Sequence, residues 1–466
     1  MPTGIADLLH DAAVLHRFVD FIEEYCREQE RSQTYVDSAG LFFGYVETLA
    51  SGIKKELCDQ VRRAEKFPPR LPLLRRQMLT LKYYLRQLHI LIKPAADAHT
   101  LTIPGPLIDL ASQQLQRVDS MEGSHILILL TPEFMYFQRP HTDIKVQARL
   151  VESFIPQTSF PAKLGFIELP YSQGPSFFTN LAIYHELGHF VYEELSNLTP
   201  PHSEIEALKS VIIQSLRKAF HKGPRDRQTI AIGIKIIENW TQEIFCDLFA
   251  IRLLGPAFSF ALIEMLGMLG FLSRSECVRF SPTHPASACR FAEHLNLLGT
   301  GGSDSWLEAI KDVKFEQKRL LQRLAKIPAS SYRFYPDDKT RGSRTLVDAF
   351  LDDVVPAVRK LALKVTARAS ASVKKFEQTR SQVSGHLRAG VVPSANTDSL
   401  SIINSAFCFY LTSLSELIKD FERPEDENDV ATHSLWTKRL EMWTMKAIED
   451  SQIVARHRSV QRHGPF

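Results

Sequence analysis

The chain lacks the features that mark several common classes of protein. Its 56 Lys and Arg residues nearly balance its 53 Asp and Glu residues, so the formal net charge is only +3. This balance argues against nucleic acid or an anionic membrane as the main partner, because both attract strongly basic surfaces. The six cysteines contain no CxxC pair. In a chain without an export signal they are better explained as buried thiols in a reducing compartment than as disulfides.

A secretion signal and an uninterrupted membrane span are also missing from the sequence. The first residues have no basic segment followed by an apolar stretch, so we expect a cytoplasmic protein without a signal peptide. The stretch most similar to a membrane span is Leu253–Leu272, which is interrupted by Gly255-Pro256 and by Glu264. These interruptions fit a buried core helix better than a bilayer span.

Most of the chain has helical periodicity, which predicts a mainly α fold of the α+β class. Apolar residues recur at helical spacing in the first part of the chain, for example at Leu81, Leu85 and Leu88. Short apolar runs indicate three strands: His125–Leu130, Met135–Phe137 and Leu164–Leu169. We therefore predict an N-terminal helical region (1–121), a central region with a small sheet (122–300) and a C-terminal helical region (301–466). Within the last region, Ser381–Ser399 is rich in Ser, Gly and Pro and is expected to be a loop.

The residues with the clearest chemistry are His185-Glu186-Leu187-Gly188-His189. On a helix, His185 and His189 lie on the same face one turn apart, so their imidazoles could converge on one metal ion. Glu186, at the flank of that face, could then take a proton from a metal-activated water. Because an HExxH pattern also arises by chance on buried helices, the interpretation requires a third ligand.

A second helix supplies two acids with the same spacing. Glu243 and Asp247 stand four residues apart in an otherwise apolar run between Trp240 and Phe249. Carboxylates in such a run are costly to bury unless they are paired or bind metal. We therefore expect Glu243 to be the third metal ligand and Asp247 to accept a hydrogen bond from a ligand histidine. The alternative is an ordinary amphipathic helix whose acids face solvent.

Neighbouring residues are weaker ligand candidates. Glu193 and Glu194 continue the first helix, but Glu243 stands in the better motif for a third ligand. Cys246 adjoins Asp247, yet its direction on the helix points away from the expected metal face, which predicts a thiol in the core.

The two motifs together resemble those of the gluzincin metallopeptidases, in which HExxH is followed by a helix carrying ExxxDxxA. The resemblance implies a zincin-like catalytic core that binds one Zn²⁺ through His185, His189 and Glu243. It also implies that Glu186 is the catalytic base and that Asp247 orients a histidine ligand.

A third segment extends the resemblance. Residues Thr283–Arg290 read Thr-His-Pro-Ala-Ser-Ala-Cys-Arg, which is similar to the THPxxxxR segment of the CAAX-prenyl-protease and HtpX-type branch. The resemblance implies that His284 and Arg290 lie beside the active site, where they would stabilise an oxyanion or bind substrate. It covers about Gly165 to Leu298 and departs from that branch because clear transmembrane helices are missing.

From these residues we expect a zinc metallopeptidase, an endopeptidase acting on a protein or peptide substrate. Two alternatives share its motifs: a helical adaptor with a non-catalytic zinc site, and a zinc hydrolase of a small amide. Leu164–Leu169 is the nearest candidate for an exposed strand edge to which an extended peptide could pair. The flanking helical regions would narrow the cleft, or would only complete the core. The sequence does not determine the oligomeric state.

Overall fold

The structure, a computed structural model, describes most of the chain. The residues outside the described part are 1–2, 33–36, 67–70, 99–104, 132–136, 140–141, 154, 156–157, 162, 171–175, 199–201, 220–225, 314, 335–345, 395, 422–429 and 464–466.

The described part is mostly helical, which confirms the predicted mainly α class. The helices in chain order are α1 (Thr3–Ser32), α2 (Asp37–Lys66), α3 (Leu71–Ala98), α4 (Gly105–Leu115), α5 (Thr142–Glu152), α6 (Ile183–Asn197), α7 (Ser203–Ala219), α8 (Asp226–Leu254), α9 (Pro256–Met268), α10 (Ser287–Leu298), α11 (Trp306–Ala309), α12 (Glu316–Ala325), α13 (Val355–Val365), α14 (Val373–Arg388), α15 (Ser399–Phe421) and α16 (Val430–His463). The strands are β1 (His125–Thr131), β2 (Phe137–Arg139), β3 (Leu164–Pro170), β4 (Arg279–Phe280) and β5 (Arg333–Phe334).

The chain forms two compact units that do not follow the predicted boundaries at 121 and 300. Unit 1 comprises Met1–Gly105 and Gly123–Pro175, and unit 2 comprises Pro106–Glu122 and Ser176–Phe466. The strands β1 to β3 therefore belong with the N-terminal helices, whereas the helices after residue 301 belong with the HExxH helix. Boundaries at single positions in the sequence cannot describe these units, because each unit is built from two separate stretches of chain.

Unit 1 contains the small sheet, whose strand order is β1-β3-β2. Strand β3 pairs parallel with β1 and antiparallel with β2, so it lies in the centre of this sheet. The expected strands at His125–Leu130 and Leu164–Leu169 are confirmed, while Met135 and Tyr136 lie outside the described residues. The expectation that Leu164–Leu169 offers an exposed edge is wrong, because both edges of β3 are already hydrogen-bonded to a neighbouring strand.

Helices α1 to α3 supply most of the rest of the core of unit 1. Leu81, Leu85 and Leu88 are fully buried, as expected from their spacing of three or four residues along one helical face. The core cluster of this unit also includes Leu127 of β1 and Phe166 of β3, so helices and sheet share one hydrophobic core.

Unit 2 is organised around the long helix α8, against which α6, α7, α9, α10 and α13 pack. Trp240 of α8 is fully buried, and its ring contacts Phe280, Phe334 and Phe350. Two of these partners come from the chain after residue 301. The C-terminal region therefore contributes to the core around α8.

The stretch Leu253–Leu272 is not one helix. Helix α8 ends at Leu254, and Gly255 adopts a φ of 73° before the 13-residue helix α9 begins. Elsewhere in the described part, one helix, Ser399–Asp420, is long and apolar enough to cross a membrane, judged by length and composition. Of its apolar window, 67% is buried inside the chain, and the core helix of a folded protein passes the same test.

The loop expected at Ser381–Ser399 is partly helical, because α14 extends from Val373 to Arg388. Three apolar residues of α14 are buried: Phe376, Val383 and Leu387. Their spacings of seven and four residues give the helix one apolar face, which outweighs the polar composition of the segment.

Candidate metal centre

Helices α6 and α8 approach each other closely at Gly188. A Cβ atom added at Gly188 would lie 2.7 Å from the Cα atom of Cys246, closer than two such atoms can come without a shift of the backbone. The absence of a side chain at Gly188 therefore brings the HExxH helix against α8. This contact places the histidines of one helix opposite the acids of the other.

Gly188→Ala is expected to lower the free energy of unfolding by about 1–3 kcal/mol, the usual cost of forcing a methyl group into a packed core. It should also weaken metal binding, because separating α6 from α8 moves His185 and His189 away from Glu243. Urea unfolding and metal titration measure the two effects.

Gly385→Ala on α14 is the matched control, because nothing lies within 4 Å of a Cβ atom added there. Replacing a helical glycine at such a site is expected to stabilise the protein by about 0.5–1 kcal/mol. Similar effects of the two substitutions would show that the contact between α6 and α8 at Gly188 is not tight.

Three side chains of α6 and α8 converge. The Nε2 atoms of His185 and His189 lie 3.2 Å apart. One carboxylate oxygen of Glu243 lies 3.4 Å from Nε2 of His185, and the other lies 3.4 Å from Nε2 of His189. His185 and Glu243 are buried, each with 8% of its surface exposed. The structure thus brings together the three residues that the motifs suggested as ligands.

Cys246 also belongs to this group, contrary to the expectation that its side chain points away from the metal face. The ligand atoms of His185, His189 and Cys246 all lie within 4.8 Å of one another, and the three residues form a group that could hold a metal ion. The periodicity of α8 alone did not predict this position, because it results from the close approach of α6 at Gly188. Burial, and then the nearby carboxylate of Glu243, raise the pKa of the Cys246 thiol.

Asp247 lies on the other side of His185. Its Oδ1 atom is 2.9 Å from Nδ1 of His185, the ring nitrogen on the side away from Glu243. The Nε and Nη2 atoms of Arg290 donate hydrogen bonds of 2.6 and 2.7 Å to the two oxygens of Asp247. A hydrogen bond at Nδ1 fixes the orientation of the imidazole and leaves Nε2 available as a ligand atom.

The charges of the group stabilise one another. Burial alone would lower the pKa of His185, but hydrogen bonds to Asp247 and Glu243 outweigh it and raise the pKa to about 10. Burial would raise the pKa values of the two carboxylates. However, the histidines beside Glu243, and Arg290 beside Asp247, hold both pKa values well below their usual range. The buried carboxylates are therefore ionised, with positive groups around them.

Glu186 is buried next to this cluster without a partner of its own. Only 8% of its surface is exposed, and its carboxylate has no hydrogen bond or ion pair to any other described residue. Its carboxylate oxygens are not among the fully buried side-chain atoms without a hydrogen-bond partner, so they reach the solvent beside the cluster. A carboxylate that is free of protein partners and accessible to water beside two histidines is suited to proton transfer.

His284 and Arg290 occupy different environments. The side chain of His284 is 53% exposed, and its Nε2 atom lies 3.6 Å from Glu243 Oε1. Its loop is held against α8, because Trp240 Nε1 donates a 2.7 Å hydrogen bond to the carbonyl oxygen of Ser281. Arg290 is buried, with its guanidinium bonded to Asp247. Of the two, only His284 is accessible to a substrate.

The C-terminal helix α16 supports the start of the HExxH helix. The buried carboxylate of Glu441 accepts hydrogen bonds from Ser176 Oγ at 2.8 Å and from the backbone N–H of Phe178 at 3.2 Å. The ring of Phe178 also packs against Phe407 and Tyr410 of α15. These contacts immediately precede the 3₁₀ turn Thr179–Ala182 that leads into α6.

Comparisons of the chain with protein-family models, curated proteins and solved structures found no match. The functional interpretation therefore depends on the geometry and chemistry of these residues, together with the motif resemblance.

Two residues of the site were missed by sequence reasoning. His294 of α10 is fully buried, and its Nε2 atom lies 3.2 Å from Asp247 Oδ2. Ser259 of α9 lies behind it, with its Oγ atom 3.1 Å from His294 Nδ1. The sequence contained a pattern that points to His294, because it stands four residues after Arg290 and therefore on the same helical face. No sequence pattern points to Ser259.

Proposed function

We propose that the chain is a zinc-dependent metallopeptidase with a zincin-like catalytic core in unit 2. The main support is the spacing of the ligand atoms of His185, His189 and Glu243, which is 3.2, 3.4 and 3.4 Å. In a tetrahedral zinc site with bonds of about 2.0–2.1 Å, neighbouring ligand atoms lie about 3.3–3.4 Å apart. Because a different oxygen of Glu243 faces each histidine, the carboxylate would bind the ion through both oxygens, or would turn so that one oxygen takes the third corner of the tetrahedron.

Glu243 is a better third ligand than Cys246. Each oxygen of Glu243 faces one histidine at 3.4 Å, whereas the ligand atoms of the group formed by the two histidines and Cys246 lie within 4.8 Å of one another. Two histidines and one glutamate leave a fourth position for water or substrate, as in catalytic rather than structural zinc sites.

Zinc, when bound, would polarise a scissile carbonyl group and make a water molecule more acidic. The side chains of the protein would carry out the proton transfers. Glu186 would accept a proton from the attacking water and return it to the leaving amine. This role is supported by the position of its carboxylate, which has no hydrogen bond or ion pair to another described residue and is therefore free to bind the attacking water.

His284 is the residue proposed to donate to the developing oxyanion. Its exposed ring lies beside Glu243, and a hydrogen-bond donor near the developing charge lowers the barrier of acyl-transfer reactions. Arg290 is assigned a different role from the one the resemblance implied. Because its guanidinium is bonded to Asp247, it would hold that carboxylate in place and not contact substrate.

The test is removal and restoration of the metal. We expect the purified protein to contain about one zinc per chain and to cleave unfolded casein or members of a peptide library. A strong chelator should abolish cleavage, and added zinc should restore it. Circular dichroism of the chelated protein serves as the control for folding.

Each result of this experiment has a distinct meaning. A protein that binds zinc without cleaving peptides would support the adaptor, and cleavage restricted to small amides would support the small-amide hydrolase. A protein that binds no zinc, or that cleaves equally well after complete chelation, would contradict the proposed function.

A further inference from the structure

The carboxylate of Asp247 is surrounded by hydrogen-bond donors. Oδ1 lies 2.9 Å from Nδ1 of His185 and 2.7 Å from Nη2 of Arg290. Oδ2 lies 2.6 Å from Nε of Arg290 and 3.2 Å from Nε2 of His294. An ionised carboxylate has about four acceptor sites. Three are used by His185 and Arg290, and the fourth faces His294.

His294 has no other partner for its Nε2 atom within the described part of the chain. The residue is fully buried, and Nε2 makes no hydrogen bond of regular geometry. Its ring is packed beside Phe258 and Phe291, with ring centroids 5.8 and 5.2 Å away. A buried polar atom without a partner destabilises a protein by about 1–3 kcal/mol, so its position next to Asp247 requires an explanation.

The surroundings of His294 determine its tautomer. Because an ionised carboxylate can only accept, the ring nitrogen that faces Asp247 must carry the proton. Nδ1 is then an acceptor, and the hydroxyl of Ser259 donates to it across 3.1 Å. Ser259 is itself fully buried. Ser259 therefore fixes the tautomer of His294 by a hydrogen bond, and the N–H at Nε2 of His294 faces the carboxylate of Asp247 at 3.2 Å as an electrostatic contact without regular hydrogen-bond geometry.

We infer that His294 is a positioning residue for the metal ligand His185 and acts through Asp247. Arg290 donates to both oxygens of the Asp247 carboxylate. His294 faces the acceptor position on Oδ2 that Arg290 does not use. Together they fix Asp247 in the orientation that keeps Nδ1 of His185 protonated and Nε2 turned toward Glu243. This inference rests on the proposed metal function, because it treats His185 as a ligand.

The first readout is zinc affinity, measured by competition with a chelator. His294→Phe keeps a ring beside Phe258 and Phe291 but removes both nitrogens. We expect it to weaken zinc binding by at most about 10-fold, the lower end of the range for loss of a ligand histidine's own partner, because Asp247 stays in place and is still held by Arg290. His294→Gln, whose amide N–H can reach Asp247, should restore part of the affinity.

The second readout needs no metal and no activity. In the metal-free protein labelled with ¹⁵N-histidine, the signal of His185 is identified by its loss in His185→Gln. We expect wild type to show a slowly exchanging proton on Nδ1 of His185, held by Asp247, and His294→Phe to show faster exchange of that proton. Ser259→Ala should produce a smaller increase in the exchange rate, because the ring of His294 remains but its tautomer is no longer fixed.

Phe291→Leu is the matched control for packing, because it alters the same ring pocket without removing a hydrogen bond. It is expected to lower the melting temperature and leave zinc affinity and the exchange of the His185 Nδ1 proton unchanged. If His294→Phe behaves like Phe291→Leu, His294 is only a core residue and the inference fails. If wild type binds no zinc, the proposed function fails, while the exchange of the His185 Nδ1 proton still decides the role of His294.

Discussion

Glu186→Gln is expected to lower kcat/KM for peptide cleavage by about 10²–10⁴-fold, the usual contribution of a general base. The substitution preserves the shape of the side chain and removes only its ability to accept a proton. Because Glu186 has no partner among the described residues, the folded protein should lose no interaction. Zinc content and melting temperature should therefore remain at wild-type values, and the loss should appear in the rate of cleavage.

Glu264→Gln is a suitable control for this experiment. Glu264 is a half-buried acid on α9 that accepts a 3.1 Å hydrogen bond from Gln317, and it is not part of the metal centre. The change is equally isosteric and should leave kcat/KM unaffected. Wild-type cleavage by Glu186→Gln would show that another residue is the base, or that the cleavage comes from a contaminating peptidase.

Glu243→Ala and Cys246→Ala should have opposite consequences for the metal. We expect Glu243→Ala to weaken zinc binding by more than about 100-fold, beyond the range typical for loss of a residue that only orients a ligand. The two histidines would remain, with the positive charge of the metal no longer balanced by the glutamate. Cys246→Ala should keep zinc and lose about 1 kcal/mol of stability, because it removes one buried atom from the contact with α6.

Metal content by mass spectrometry and affinity by chelator competition distinguish the two variants. The cobalt-substituted protein adds an independent check, because thiolate ligation produces an intense charge-transfer absorption that carboxylate ligation does not. The opposite result, with zinc lost in Cys246→Ala and kept in Glu243→Ala, would mean that the metal site uses two histidines and one cysteine. Three protein ligands would still leave a fourth position for water or substrate, so the third ligand in the proposed function would change from Glu243 to Cys246.

The parts of the site that sequence could predict are those determined within one helix. The spacing of four residues places His185 and His189 on one face, and it does the same for Glu243 and Asp247. The position of Cys246 depends on the distance between two helices, which the periodicity of neither helix contains. Gly188 determines that distance, and its importance is visible only when α8 is seen against α6.

Longer-range features of the fold were even less accessible. The strands next to the HExxH motif in sequence belong to unit 1, whereas helices more than a hundred residues later pack around α8. Composition alone made Ser381–Ser399 look like a loop, although Val383 and Leu387 continue one apolar face of α14. In each case, tertiary packing decided the outcome and local sequence did not.

The contact between Glu441 and the start of α6 has a consequence for how the protein folds. The carboxylate and the N–H group of Phe178 that it accepts from are 263 residues apart in sequence. Contacts between residues so far apart in sequence form slowly, because the chain must lose the entropy of closing a long loop before the contact contributes any stabilising free energy. On the ribosome, the segment that leads into the HExxH helix is synthesised long before α16, so it acquires this partner only after α16 has been made. The anchoring of that segment is therefore a late event in the maturation of the protein.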